Sequence, residues 1–432
     1  MFLYKIREME NVNNEKNKKN ENKETRKGSS IKNCWGPLSL IIAVPVLLFS
    51  VLIKTNLISK NLWPNLTGLA IFTVFIVYGF LSIKWSKTRF TGPTNVDGVT
   101  PEYAANGFEF WVFTVFIVTV ISAVFPSVPE LFSMNFIPFI FTANIFGLLF
   151  VSWLYIRGRN KYYDKEEDKE AGHSTLFKFL RGLEFHPKLL GVDIKQWTNC
   201  RYGMISWQII IMLFMYYYFE KHGFNSAIFT TVILQSIYIG KFFYWETGYF
   251  NTLDITLDRA GYYICWGCLV FLPALYTYTT YFLINRSPNV SWKVSLLIFL
   301  LGVYFTYKNY EVDRQKEIFK RDKENSIING EKAKYMDVKY ERDGEMVDSK
   351  LLLSGHWGYS RHTNYTYEIL TSGTWSAVRY QYGPVPFVYL LYIIILLVHR
   401  IYRDEAKCSK KYGEYWKEYC KRVPYRLIKG VY

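Results

Sequence analysis

The sequence predicts an all-α protein that crosses a membrane many times, and three observations carry that prediction. Half of the 432 residues are hydrophobic and 19% are aromatic, whereas only 20% are charged. The mean hydropathy of +0.01 conceals a division into long apolar runs and concentrated charge. Aromatic side chains crowd the ends of those runs (Trp35, Trp63, Trp111, Tyr155, Tyr216 to Tyr218), as membrane interfaces require. A chain this apolar buries too much surface to stay disordered. Six Cys in 432 residues form no disulfide framework.

The elements follow in chain order. The first 33 residues carry nine Lys/Arg against five acids, so residues 1–34 are expected to be a disordered, basic cytosolic tail. They are no signal peptide, because the first apolar run begins only near Leu38. A spanning helix needs roughly 20 mostly apolar residues, and the chain offers about ten such windows. The first four are 38–53, 66–83, 108–125 and 136–156. The polar stretch 157–198 should connect spans along the membrane surface, before windows 204–219, 224–243, 262–283 and 292–307. A second polar segment, 308–350, precedes a short or re-entrant window at 365–378 and a clear one at 386–398. With both basic ends in the cytosol the count must be even, and ten is the expectation.

The net charge of +16 sits largely at the two ends, where it attracts anionic headgroups. Nucleic acid is not an expected partner, because no basic helix or RNA-binding signature accompanies the charge. There is no Walker sequence and no Gly-rich dinucleotide loop after a strand. Cys265 and Cys268 form a CxxC without a second pair, which reads as buried thiols, and no metal site is expected.

Ionisable residues in or beside spans are costly, and therefore functional candidates. Glu246, Asp254, Asp258 and Arg259 form one group; Arg361, His362, Arg400, Arg403, Asp404 and Lys411 form another. The segment 354–365 is the richest. Its small residues let a backbone approach a ligand, Arg361 can fork to a phosphate, His362 and Asn364 can bond a polar ring or ribose, and Trp357 and Tyr365 offer stacking faces. Arg400 and Asp404 stand i, i+4 on one helix face, just before Cys408, Ser409, Lys410, Lys411 and Tyr412. Together they suit a phosphorylated nucleotide; the plainer reading is a helix end with snorkelling cations.

These residues resemble a family, the sterol reductases that use NADPH, which include sterol Δ14-reductase, the lamin B receptor and 7-dehydrocholesterol reductase. The resemblance is carried by 351–365 (Leu-Leu-x-Ser-Gly-x-Trp-Gly-x-x-Arg-His-x-Asn-Tyr), 399–416 (His-Arg-x-x-Arg-Asp-Glu-x-x-Cys-x-x-Lys-Tyr-Gly-x-x-Trp) and 423–426 (Val-Pro-Tyr-Arg). The last stretch, extended by Leu427 and Ile428, is most similar to the 7-dehydrocholesterol reductase branch. Landmarks upstream include Tyr103, Asn106, Gly107, Glu184, Asp193, Lys195, Trp207, Gln235, Tyr238, Asp254, Asp258 and Tyr276.

The resemblance implies ten spans, an endoplasmic-reticulum-type membrane and a cofactor pocket open to the cytosol in the C-terminal half. It divides the chain into the tail 1–34, a helical region 35–307 that includes the sterol side, and an NADPH-binding region 308–432. By position, NADPH would be held by Lys316, Lys320, Leu352, Trp357, Asn364, Tyr365, Asp404, Cys408, Ser409, Lys410, Lys411, Tyr412 and Tyr419, with Arg400 added from its helix face. The implied activity is reduction of a sterol double bond, most like the Δ7 bond of 7-dehydrocholesterol-like sterols. The substrate would lie within the bilayer, and the sequence does not fix an oligomeric state.

Such a reduction needs an acid for one carbon and a hydride for the other. Asp258 is favoured as the acid and Glu246 is second, with Tyr238 or Tyr276 as relays. The chain departs from the family at several places. Lys320 stands for Arg, and Asp313 for Asn. Thr366, Tyr367 and Glu368 follow Asn364 and Tyr365 where the family has x-Gly-Asp. The motif Asp-x-x-x-Asn-Glu becomes Lys241 to Glu246, His-Asp becomes Leu257 and Asp258, and Gly-Asp becomes Gly267 and Cys268. Rival readings are a sterol Δ14-reductase, a sterol- or nucleotide-binding scaffold whose catalysis has lapsed, and a membrane methyltransferase of the isoprenylcysteine type. That last family wants Pro after the Arg-His pair, where this chain has Thr363.

Overall fold

The computed structural model describes residues 35–55, 61–95, 98–162, 174–286, 288–342 and 345–432, so the expected tail 1–34 lies outside the described residues. The chain is predominantly α-helical. Among the described residues, seven helices are long and apolar enough to cross a membrane: Trp35–Thr55, Leu66–Lys84, Gly107–Val124, Phe136–Lys161, Gln196–His222, Ser226–Tyr244 and Val385–Tyr412. The other three expected windows are also helical, but are shorter or more polar. Window 262–283 is wound wide as a π-helix over Tyr262–Tyr276, with Pro273 inside it, and then turns at Tyr278–Tyr281. Window 365–378 lies on the 15-residue helix Thr363–Ala377.

Window 292–307 opens a helix of 31 residues, Trp292–Asp322. At about 1.5 Å per residue, that helix is far longer than the roughly 30 Å hydrocarbon layer. If its apolar first half spans, its charged second half must project beyond the bilayer. Side-chain caps begin several helices: Asn65 Oδ1 accepts from Gly68 N, Asn225 Oδ1 from Ala227 N, and Ser291 Oγ from Lys293 N. Large apolar side chains remain exposed along the spans (Val74, Phe113, Phe116, Leu297, Leu300), the surface that lipid would cover.

The chain forms two compact units that interleave in sequence. Unit 1 takes residues up to Asn106, then Asn135–Ser206 and Phe250–Ala274; unit 2 takes Gly107–Met134, Trp207–Tyr249 and Leu275–Tyr432. In unit 1, helices approach closely through small residues, as membrane helices do. A Cβ on Gly68 would stand 2.9 Å from the Pro138 carbonyl carbon, and one on Gly79 would stand 2.6 Å from Arg201 O. The π-wound turns Gln196–Met204 pack at Gly203 against the backbone of Cys268, and Trp197 Nε1 donates to Ile76 O at 3.0 Å. Cys265 and Cys268 are buried free thiols.

In unit 2, Gly302 lets the Trp292–Asp322 helix meet Leu234 and Thr374 of its two neighbours. An aromatic core of Trp207, Tyr238, Tyr276, Trp375 and Tyr389 has ring centroids 4.9–6.2 Å apart. The polar segment after Asp322 is not a loose loop. It forms an antiparallel hairpin, Tyr335–Arg342 with Glu345–Leu352, in register from Tyr335 opposite Leu352 to Arg342 opposite Glu345. Met336 and Val338 pin the hairpin to Trp416, Tyr419 and Val423.

Candidate functional site

Unit 2 gathers the cofactor residues expected from the sequence around the polar half of the Trp292–Asp322 helix. The segment after the hairpin makes a tight turn, Gly355–Gly358. Gly355 has φ of +64°, and a Cβ there would overlap Gln315 Oε1, so only glycine fits. The turn is tied down where His356 N donates to Gln315 Oε1 at 2.9 Å. Trp357 is buried and its Nε1 donates to Val312 O at 2.9 Å. Lys316 Nζ lies 4.0 Å from the centre of the Trp357 ring.

One turn further along, Asn364 Nδ2 donates to Asp313 Oδ1 at 3.1 Å, and Asn309 Nδ2 donates to Asn364 O at 2.8 Å. Lys241 donates to Asn309 Oδ1. Burial pushes the Asp313 carboxyl up, against the pull of Lys241, Asn364 and Lys316. Tyr365 stacks on His362, ring centroids 5.3 Å apart and nearly parallel. On the same helix, Glu368 Oε1 accepts from the Tyr238 hydroxyl.

Lys320 lines a cleft with Lys323, Lys339, Lys350, Asp337 and Asp348. Desolvation and the ammonium groups of Lys316, Lys407 and Lys411 push its pKa down, with Asp404 as counterweight. Lys411 Nζ also lies 3.9 Å from the Tyr340 ring centre, and Tyr340 meets Tyr412 edge to face. Tyr419 is buried and donates to Leu352 O at 3.1 Å, so both residues belong to the wall that carries the hairpin. Cys408 packs on that same cluster, whereas Ser409 and Lys410 are exposed. Arg400 lies near enough to act electrostatically on Glu368 and Tyr276.

Arg361 corrects a sequence expectation. It does not fork to an open phosphate position: its guanidinium is 7% exposed and already bound to Glu405 Oε1 at 2.7 Å and to the carbonyls of Val423 and Pro424. His362 is likewise buried, and desolvation together with Lys316, Arg361 and Arg426 pushes its imidazole down to about 3. It is therefore a neutral ring across the physiological range.

The two expected acids lie in different units. Asp258 is buried in unit 1, where Lys195 Nζ donates to its main-chain oxygen at 2.9 Å and to Ile255 O at 2.6 Å. Glu246 is buried in unit 2, packed so tightly on Gly107 that a Cβ there would overlap its carboxylate. That contact puts the Glu246 carboxylate at the N-terminus of the Gly107–Val124 helix, where negative charge is favoured. Sequence reasoning missed Lys407, although it stands i, i+4 with Lys411 on the helix face already singled out. It also missed Asn309 and Glu405. Among the described residues, no group of three or more His, Cys, Asp or Glu could hold a metal ion.

The fold is that of a multi-pass helical membrane protein, and comparison with known proteins gives its family. Residues 37–432 match the family described as Ergosterol biosynthesis ERG4/ERG24. A 7-dehydrocholesterol reductase from Arabidopsis thaliana is 34% identical, with 86% of this chain and 87% of that protein covered. A probable 7-dehydrocholesterol reductase of Acanthamoeba polyphaga mimivirus is 31% identical over 86% of each. A Delta(14)-sterol reductase of Methylotuvimicrobium alcaliphilum is 30% identical, covering 78% of this chain and 76% of that protein. The chain belongs to the ERG4/ERG24 family of sterol reductases, multi-pass membrane oxidoreductases.

Proposed function

We propose that this protein uses NADPH to reduce a sterol double bond, the Δ7 bond of 7-dehydrocholesterol-like sterols, in sterol biosynthesis. The observation that carries the reading is the exposed group of Lys316, Lys407 and Lys411 around Lys320, with Lys316 Nζ over the ring of Trp357. Such a group attracts an anion, and a phosphorylated dinucleotide supplies both the anion and the flat rings. The residues present fit that group: exposed ammonium groups suit its phosphates, and the partly exposed rings of Tyr365 and Tyr412 suit its flat parts. The names of the relatives favour Δ7 over Δ14.

In this reading Lys316, Lys320 and Lys411 hold phosphate charge, with Asp404 and Arg400 on the adjoining face. Trp357, Asn364 and Tyr365 orient the rings, and Leu352, Cys408, Ser409, Lys410, Tyr412 and Tyr419 complete the walls of a region spanning 308–432. When bound, NADPH supplies the hydride. The proton must come from the chain. A buried hydroxyl of unit 2 suited to the task is that of Tyr238, which donates to Glu368 and whose ring packs on Trp207 and Trp375. Its O–H bond breaks as the proton passes to one alkene carbon, and the aromatic walls keep water from the cation that forms. Asp258 is the second reading of the acid, favoured by its deep burial and by the Lys195 anchor on its backbone. The membrane would be of the endoplasmic-reticulum type, with the sterol inside the bilayer, ten spans and both termini cytosolic.

The test is expression in a yeast membrane lacking its own late reductases, with sterols profiled by mass spectrometry. Saturation at C7–C8 of a Δ5,7-sterol is the expected result. Loss of a Δ14 bond instead would reassign the substrate. Unchanged sterols, with folded protein that still binds NADPH, would replace the enzyme by a binding scaffold.

A further inference from the structure

The last ten residues do not trail away from unit 2. Arg361 N donates to Tyr425 O at 3.0 Å and His362 N to Arg426 O at 2.9 Å, so two successive amides hold the tail. Ser360 Oγ and Thr366 Oγ1 both donate to Leu427 O at 2.8 Å. The tail closes on itself, because the backbone N–H groups of Arg426, Leu427 and Ile428 all donate to Tyr432 O.

At the centre lies one carboxylate between two guanidinium groups. Glu405 Oε1 accepts from Arg361 Nε at 3.0 Å and Nη2 at 2.7 Å, and its Oε2 accepts from Arg426 Nε at 2.9 Å. The third arm of Arg361, Nη1, donates to Val423 O at 2.6 Å and Pro424 O at 2.9 Å. The Arg361 and Glu405 side chains are 7% and 13% exposed, so neither is a surface pair with water as an alternative partner.

The placement of these partners matters more than their strength. Arg361 stands three residues before Asn364, and Glu405 is the neighbour of Asp404 on the Val385–Tyr412 helix. The ion pair therefore cross-links the segment that carries Asn364 to the helix that carries Asp404, and the tail joins the link through Arg426. We infer that Arg361, Glu405 and the strap 423–432 are positioning elements that set the distance between the Asn364 wall and the Asp404 wall, and hence the affinity for the dinucleotide. The inference rests on the nucleotide site proposed above. A misplacement of about 1 Å at a binding wall can cost up to about a hundredfold, so loosening the link should be read in cofactor affinity.

The experiment compares Glu405→Gln with Asp404→Ala in the full-length protein in nanodiscs. It measures NADPH affinity by titration, and the KM for NADPH and kcat by turnover. Glu405→Gln keeps the side-chain shape and removes the charge that both arginines need. The expected result is an NADPH Kd and KM raised about ten- to a hundredfold, with kcat at saturating cofactor little changed. Faster hydrogen exchange at the Arg361 and His362 amides should accompany it. A lower melting temperature with unchanged NADPH Kd would overturn the inference and leave the strap purely structural. An unchanged Kd for Asp404→Ala would instead overturn the nucleotide site itself, so the two failures are distinguishable. Should Glu405→Gln not fold, Arg426→Lys carries the same test, because Arg426 is partly exposed and the Arg361 pair survives it. It should shift Kd in the same direction by a smaller factor, and no shift there would also refute the strap.

Discussion

Unit 1 buries a lysine and unit 2 exposes a cluster of them, and the two settings use the charge in opposite ways. In unit 1, Lys195 is wholly buried, and its ammonium group donates to the main-chain oxygens of Ile255 and Asp258. Those bonds close the turn after the short helix Leu253–Thr256, and the charge is used up in holding backbone. In unit 2, Lys316, Lys407 and Lys411 act electrostatically on Lys320, with Asp404 as counterweight, and all four lysines are exposed. A buried lysine that satisfies carbonyls stabilises shape. Exposed lysines grouped together keep their water and give the surface a field that attracts anions.

The comparison is sharpest in its chemistry, where the largest effect is expected. Tyr238→Phe should lower kcat by about 10²- to 10⁴-fold, the usual range for an acid or base, and leave NADPH affinity intact. Turnover of a Δ5,7-sterol measures it. An active variant would move the acid to Asp258, and Asp258→Asn would then carry the loss.

Lys195→Met should come next. It keeps the volume but leaves two buried carbonyls without a donor, costing about 1–3 kcal/mol for each. Thermal unfolding in nanodiscs should fall markedly, with a residual NADPH affinity close to normal in whatever folds. A variant as stable as the parent would remove the contrast between the units.

The smallest change in folding belongs to Lys316→Gln with Lys320→Gln. NADPH affinity should fall about ten- to a hundredfold, and its salt dependence should flatten. The melting temperature should hold or rise, since repulsion is relieved. Loss of stability without loss of affinity would show that these lysines serve the fold as Lys195 does.

The fold class and the spans were legible because a bilayer imposes a simple demand: about 20 apolar residues per helix, with polar and aromatic ends. Seven windows meet it outright. The three less apolar ones carry polar or bulky residues that answer to neighbours. Asn309 serves Asn364, Thr374 meets Gly302, and Pro273 sits in a π-wound turn. Much of the candidate site was legible too, because Asn364, Trp357, Asp404 and Lys411 sit in short motifs of fixed spacing.

Arg361 was misread for a physical reason. Residue type says that a guanidinium can bind phosphate, but burial beside Glu405 decides that it does not. The departures from the family at 241, 313 and 368 looked like separate losses. In the structure Lys241 acts electrostatically on both Asp313 and Glu368, so the three substitutions are coupled to one another. The strap was equally hidden, since nothing in residues 423–432 names Ser360 or Arg361 as partners.

By itself the sequence determined what is local or additive: hydropathy, helix faces, the motif residues and the family they resemble. Tertiary structure alone decided which charges meet. It separated the buried lysine that bonds carbonyls from the exposed group of lysines, and it tied the tail to Arg361 and Glu405. The reason is that desolvation and pairing depend on neighbours distant in sequence, so the same side chain is a structural brace in one setting and a binding group in another.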